Sequence, residues 1–197
     1  ELVAFELEPT GMSFDYLLNE KPEGDYYQQK NYTIDEKTFK TPSGKIEIYS
    51  QTLSDYGFDP LPSYQEPANS PKSSDRDFLS KYPLILSTGN RDLCYTHAQH
   101  RNVEALKEES PQPEVEISPK TAQDFGIQNG DGVFVETYMG HVRMQARVED
   151  RVMDNVVLLT HGWPGQANAN CLVDAKCREP IMGYPDMKSL MCTLRKA

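Results

Sequence analysis

A mainly β fold with short helices, arranged as a small barrel with helical connections, follows from three observations. Short apolar or alternating stretches recur along residues 81–197, each bounded by Gly, Pro, Asn or Asp. Only two stretches in that region carry helix signals. No coiled-coil, collagen-like or low-complexity pattern competes, and no run approaches the roughly 18 apolar residues of a membrane-spanning helix.

The elements follow in order. Residues 1–38 show no sustained period, only short acidic stretches and a Tyr26-Tyr27-Gln28-Gln29 run. Thr41-Pro42-Ser43-Gly44 is turn chemistry, and Ile46 and Ile48 alternate with polar neighbours as a strand would. Residues 57–77 are rich in Pro and Ser, a linker by composition. Tyr82 to Thr88 is a short apolar run ending at Gly89, a buried strand. Thr96 to Glu109 gains helix propensity towards its end, with Val103 and Leu106 at helical spacing. Val115 to Ile117 is a short strand. Ser118 then caps a helix with Pro119 at its first position. Ala122 and Phe125 face inward and Gly126 stops it. Asn129 to Gly132 is a turn. Val133 to Tyr138 and His141 to Val148 form a hairpin, in which Val142, Met144, Ala146 and Val148 alternate with a wet face. Val156 to Leu159 is another buried strand, and Leu190 to Leu194 is the last.

Charge divides the 197 residues unevenly. The whole carries 30 acidic and 20 basic side chains, a net charge of -10. Residues 1–80 hold 15 acidic and 7 basic groups, and residues 81–197 hold 15 and 13. All four His and all four Cys lie in the second part. The expected organisation is a partly irregular connecting segment over 1–80 and a barrel domain over 81–197. The acidic balance argues against nucleic-acid phosphates as partners, and nothing indicates membrane insertion. The chain begins at Glu1 with no signal-peptide pattern and reads as a piece of something larger. The compartment stays open between cytoplasm and periplasm. No Cys-x-x-Cys occurs, so zinc-ribbon and iron–sulfur spacings are absent, and the four thiols are expected to be free and mostly buried.

Three loops place polar and small residues directly after buried strands. The first is Thr88-Gly89-Asn90-Arg91, followed by His97 to Asn102. Strand-end glycine exposes N–H groups, and arginine can fork onto an anion. On a helix His97 and Arg101 would share a face. This stretch is either a phosphate or heterocycle cradle or a solvated helix start. The second loop, Thr160 to Asn170, is rich in Gly, Asn and Gln and holds the single Trp. Its amides suit a purine or pterin edge, or Trp163 anchors an ordinary surface loop. The third is Gly183 to Lys188, where Lys188 is either solvated or completes the other two. No Gly-x-Ser-x-Gly elbow, Walker A loop or His-Glu-x-x-His motif occurs. His97 and His100 have no acidic ligand close in sequence, so no metal site and no catalytic residue is assigned.

A series of motifs in order carries more information than any one of them. Phe39, Thr41 to Ser50 and Asp59-Pro60-Leu61-Pro62 resemble the connection before the last domain of molybdopterin oxidoreductases, the dimethyl sulfoxide reductase superfamily. Tyr82-Pro83-Leu84, Thr88-Gly89-x-Arg91, His97-x-Gln99-x-Arg101-Asn102 and Pro113-x-Val115-Glu116-Ile117 follow in that family's order. So do Ala122, Gly126-Ile127, Gly130-Asp131, Val135-Glu136-Thr137, Gly162-Trp163, Asn170-x-Leu172 and Lys188. Pro164 stands where a common version of the motif has a second Trp.

The resemblance, over residues 39–197, implies a double-psi β-barrel that binds molybdopterin guanine dinucleotide at the C-terminal end of a large catalytic subunit. Molybdenum or tungsten would be held through the pterin. Thr88, Gly89, Arg91 and His97 would line the pterin and phosphate region, Asn170 and Lys188 would contact the pterin, and Arg101 and Asn102 would be further contacts. The metal-ligating side chain and any iron–sulfur cluster belong, in this family, to N-terminal parts. The implied partners are therefore the remainder of the catalytic subunit and an electron-transfer subunit, and this piece alone is not expected to turn over substrate. The motifs are nearer in tone to the polysulfide/thiosulfate reductase and acetylene hydratase branch. The alternative is a double-psi barrel used as a protein-interaction or substrate-recruiting module, which would not need Arg91, His97, Asn170 and Lys188. A self-processing decarboxylase on the same fold is excluded, because the sequence contains no Gly-Ser dipeptide.

Overall fold

Six stretches rich in aliphatic residues become strands: β1 (Leu84–Asn90), β2 (Glu114–Ile117), β3 (Gly132–Glu136), β4 (His141–Val148), β5 (Val156–Thr160) and β6 (Leu190–Lys196). The computed structural model describes residues 2–27, 39–61 and 63–197. Part of the tyrosine–glutamine run and Pro62 of the Asp59 motif lie outside the described residues. The strands close into a barrel in the order β1-β5-β2-β4-β3-β6. This is the mainly β, barrel architecture that the sequence predicts.

Two neighbouring pairs are parallel, β1 with β5 and β2 with β4, and the other four are antiparallel. A parallel pair cannot be joined by a hairpin, so the chain must cross over between its strands. The crossovers carry the helical and irregular segments, and these bring loops from distant parts of the sequence to the same rim. The period of two decides what fills the barrel. Leu84, Leu86, Val115, Ile117, Val133, Val135, Val142, Val157 and Leu159 are each at most 1% exposed. Leu172, from the long loop after β5, is equally buried among them. Closure leaves no free sheet edge.

The helices are short: α1 (Leu2–Leu7), α2 (Phe14–Asn19), α3 (Gln51–Asp55), α4 (Arg76–Lys81), α5 (Glu104–Glu109) and α6 (Pro119–Asp124). The α6 start follows its sequence signals. Ser118 accepts from the Thr121 N–H at 3.1 Å, Pro119 opens the helix, and Gly126 beyond its end sits at φ +64. Among the described residues no helix is long and apolar enough to cross a membrane.

Contacts divide the chain into two compact units, Glu1–Ser63 and Tyr64–Ala197. Composition sets the boundary near residue 80. Residues 64–80 group instead with the barrel, because α4 is capped by Asp75 and its Phe78 ring meets Tyr82 and Tyr138 at 5.1 and 5.9 Å.

Three local expectations differ. Residues 45–49 are not a strand, and Ile46 and Ile48 are 72% and 77% exposed. Their surroundings are held by local bonds instead: the Thr41 hydroxyl donates to the Lys45 carbonyl, and Glu47 accepts from the Ser43 N–H. The Thr96–Glu109 stretch is helical only over α5. His97 and His100 adopt positive φ, +55 and +68, which breaks any helix before Val103. The four cysteines are free, but only Cys192 is buried; Cys94 and Cys177 are half-buried and Cys171 is exposed.

Candidate functional site

Parallel pairing of β1 and β5 sets Asn90 beside Thr160, so the loops that leave both strands start at one rim. They are fused there by close backbone approach. Gly162 has φ +85, and a Cβ on it would lie 2.4 Å from the His97 carbonyl oxygen. Only glycine fits both the conformation and the space.

Arg101 staples the same junction. Its Nε donates to the Gly162 carbonyl at 2.7 Å and its Nη2 to the His161 carbonyl at 3.2 Å. The guanidinium sits in the corner of an edge-to-face ring pair, 3.8 Å from the Trp163 centroid and 4.2 Å from that of Tyr95, the ring planes 83° apart. Desolvation pulls the Arg101 pKa below its ordinary value, and Asp92 opposes this. The Tyr95 hydroxyl anchors the stack on the carbonyls of Ser110 and Leu106 at 2.8 and 3.1 Å. So Arg101 is committed mainly to backbone, with its Nη1 buried and without a partner among the described residues.

The two loops also meet through histidines. His161 Nε2 lies 2.7 Å from His97 Nδ1, and His161 Nδ1 lies 3.0 Å from the Asn90 carbonyl oxygen. Opposite them, Asn168 accepts from the Asn170 N–H at 3.1 Å and opens a 3-10 turn, Ala169–Leu172. Thr88 closes the third side. Its N–H and hydroxyl both donate to the Met187 carbonyl, at 2.8 and 3.1 Å.

Between these segments is a cavity of about 650 Å³. Thr88, His97, Arg101, Asn102 and Asn170 line it, so five of the eight residues singled out from sequence meet at one place. Gly89 and Lys188 sit beside each other: a Cβ on Gly89 would be 3.9 Å from the Lys188 Cε. Arg91 does not join them. It lines an adjoining cavity of about 470 Å³ with Asp92, Glu109 and Glu114. The sequence reading assigned no role to His161 or Asn168. The signal was available in the polar run after β5, but not which of its side chains would turn inward.

The donor set has a definite chemistry. Among the described residues no carboxylate lines the larger cavity, although the chain has net charge -10. Arg101 Nη1 and Trp163 Nε1 are enclosed N–H donors with no partner among the described residues. Unpaired buried donors are costly unless a ligand or water satisfies them. Asn168 and Asn170 offer amide donors and acceptors. The set suits an anionic ligand with a hydrogen-bonding heterocycle, and a phosphorylated pterin has both parts.

The chain matches the family described as Molydopterin dinucleotide binding domain over residues 84–191. It is 35% identical over 172 residues to dopamine dehydroxylase from Eggerthella lenta, covering 80% of this chain and 17% of that protein. It is 31% identical over 172 residues to acetylene hydratase from Syntrophotalea acetylenica, covering 82% and 22%. Against dimethyl sulfoxide reductase DmsA of Escherichia coli K12 it is 37% identical over 160 residues, covering 72% and 18%. The solved structure of acetylene hydratase from Pelobacter acetylenicus superposes with a TM-score of 0.80 at 25% identity, over 100% of this chain and 29% of that one. The chain thus spans about a fifth of the length of these curated relatives.

Proposed function

This chain belongs to the Molydopterin dinucleotide binding domain family, and from that premise we propose that its barrel binds and positions a molybdopterin guanine dinucleotide, as the C-terminal part of a molybdenum or tungsten oxidoreductase catalytic subunit. The observation that carries this reading is a cavity lined by Arg101, His97, Asn168 and Asn170 and by no carboxylate among the described residues, in a chain of net charge -10. When bound, the group supplies metal-centred chemistry that side chains cannot.

This chain's own contribution is binding and orientation. Asn170 and Asn168 present amides to the pterin edge. Lys188, beside Gly89, supplies a cation for phosphate or pterin oxygens. Thr88 fixes the rim by holding the segment that carries Lys188. Arg101 keeps the two strand-end loops together and adds positive charge beside the cavity. Arg91 would contribute only if the ligand extends into the adjoining cavity, where Asp92 and Glu109 already face it.

The metal ligand, any iron–sulfur cluster and the electron-transfer partner are assigned to the rest of the enzyme. Exposed apolar side chains of the first unit, such as Leu2, Phe5, Ile46 and Ile48, offer surface for the remainder of the subunit to cover.

The test is made in the full-length enzyme. Asn170→Ala and Lys188→Ala should each lower pterin nucleotide and metal content of the purified protein severalfold while the protein stays folded by circular dichroism. Full content in both variants overturns the cofactor reading and favours an interaction module.

A further inference from the structure

Resting on the cavity reading above, we propose that His97 and His161 form a single proton-holding pair, which meets an anionic phosphate group of the ligand through Nε2 of His97. Donor and acceptor roles are fixed from one end. The Asn90 carbonyl can only accept, so His161 Nδ1, 3.0 Å away, carries the hydrogen. In the neutral ring the lone pair is then on His161 Nε2. His97 Nδ1, 2.7 Å from that nitrogen, must donate to it. His97 is thereby held as the Nδ1–H tautomer. Its Nε2 is an acceptor without a protein partner among the described residues, on a residue that lines the cavity.

The backbone builds this pair in. His97 has φ +55, Gly162 packs against its carbonyl, and the His161 N–H donates to the same Asn90 carbonyl at 3.3 Å. Both rings are therefore placed by loops that Arg101 clamps, and their centroids lie 4.7 Å apart.

One proton can be added and no more. On His97 Nε2 it gives an imidazolium whose Nδ1–H still donates to His161. A second proton on His161 Nε2 would set two N–H groups against each other across 2.7 Å and break the pair. Protonated, the pair presents a cationic N–H donor, which forms a charge-assisted hydrogen bond with a phosphate oxygen.

The charged and titratable groups on the surrounding segments are His100 and Arg101 on the same loop, Arg91 and Asp92 beyond β1, and Asp186 and Lys188 before β6. Of these, Arg101 lines the cavity. A phosphate anion in the cavity pairs with the cationic form of the ring pair and with Arg101 beside it. Proton and phosphate therefore bind cooperatively. The proton comes from solvent, and no bond forms other than N–H.

The test uses ring-nitrogen NMR of the 197-residue chain, with inorganic pyrophosphate and guanosine diphosphate as probes at pH 6 and pH 8. His97 is expected in the Nδ1–H tautomer before any probe is added, and the Nε2–H tautomer overturns the pair. Both probes should then shift the His97 Nε2 resonance. Affinity should rise as pH falls, by up to about tenfold per unit beyond the probes' own titration, the limit for one linked proton. His97→Asn and His161→Gln should each abolish that excess, and the probes' titration cancels between variants. Shifts confined to Asn168, Asn170 and Trp163 sink the histidine proposal and leave the cavity reading standing. A shift with guanosine diphosphate but not pyrophosphate places the nucleoside, not the phosphate, as the anchor and overturns the proposal. No shift anywhere counts against both.

Discussion

At the scale of single residues, Arg101 separates a residue's type from its use. The sequence shows an arginine after a strand end, and anion contact is the natural reading. It cannot show that two of the guanidinium nitrogens are spent on the carbonyls of Gly162 and His161. Those partners are about 60 positions away, and only the crossover topology joins them. Arg101→Ala should cost about 3 kcal/mol by chemical denaturation, from two charged hydrogen bonds and the ring stack. Arg101→Lys should recover less than half of that, because an ammonium lacks the planar fork that reaches two carbonyls at once. Equal stability of the lysine variant and the parent would contradict the staple. The cysteines make the same point about burial. Spacing excluded zinc-ribbon and iron–sulfur motifs but could not rank exposure, and the expectation of mostly buried thiols failed for that reason. Cys192 is enclosed in the barrel, and burial pushes its thiol well above the usual range, whereas Cys171 is exposed. Iodoacetamide should label Cys171 in the folded chain and reach Cys192 only after unfolding, which peptide mass mapping would read directly.

At the scale of elements, legibility follows how local the determinant is. The strands were readable because a period of two and bounding Gly or Pro residues lie within each segment. The α6 start was readable because its cap is three residues from its partner. Ser118 also donates to Asp154 at 2.7 Å, so Ser118→Ala should lower stability by about 1–2 kcal/mol, more than an isolated cap. A smaller loss than about 0.5 kcal/mol would mean that Asp154 finds another partner. Where the determinant is distant, the reading failed. Ile46 and Ile48 have strand-like alternation, but a strand needs a neighbour, and the local bonds of Thr41 and Ser43 occupy the backbone instead. Helix propensity over Thr96–Glu109 rises only towards its end, and the conformation of its first part is set by the β5 loop pressed against it. Gly162→Ala probes that junction. The added Cβ would meet the His97 carbonyl at 2.4 Å and also require an unfavourable φ, so loss of several kcal/mol and of any cavity ligand is expected.

At the scale of the whole molecule, the division of charge and the division of core run together. Among the described residues every buried aliphatic side chain falls between Leu84 and Leu194. The first unit carries the excess of negative charge, and α1, α2 and α3 bury no residue. Helices of five or six residues are far below the roughly 12 that persist alone in water. The barrel, by contrast, is closed and holds a continuous apolar interior, which is what cooperative unfolding requires. Limited proteolysis of the 197-residue chain should therefore cut first before residue 64 and leave a resistant fragment that contains α4 and the barrel. The resistant piece should begin before Asp75 rather than at residue 81, because α4 needs its Asp75 cap and Phe78 belongs to the aromatic cluster with Tyr82 and Tyr138. Its thermal midpoint should match that of the intact chain within a few degrees, the shift that about 1 kcal/mol produces in a domain of this size. A fragment that starts at residue 81 and melts at the same temperature would show that α4 adds nothing to the barrel. One that starts before 75 but melts far below the intact chain would show that the first unit stabilises the second, despite burying no side chain in its own helices.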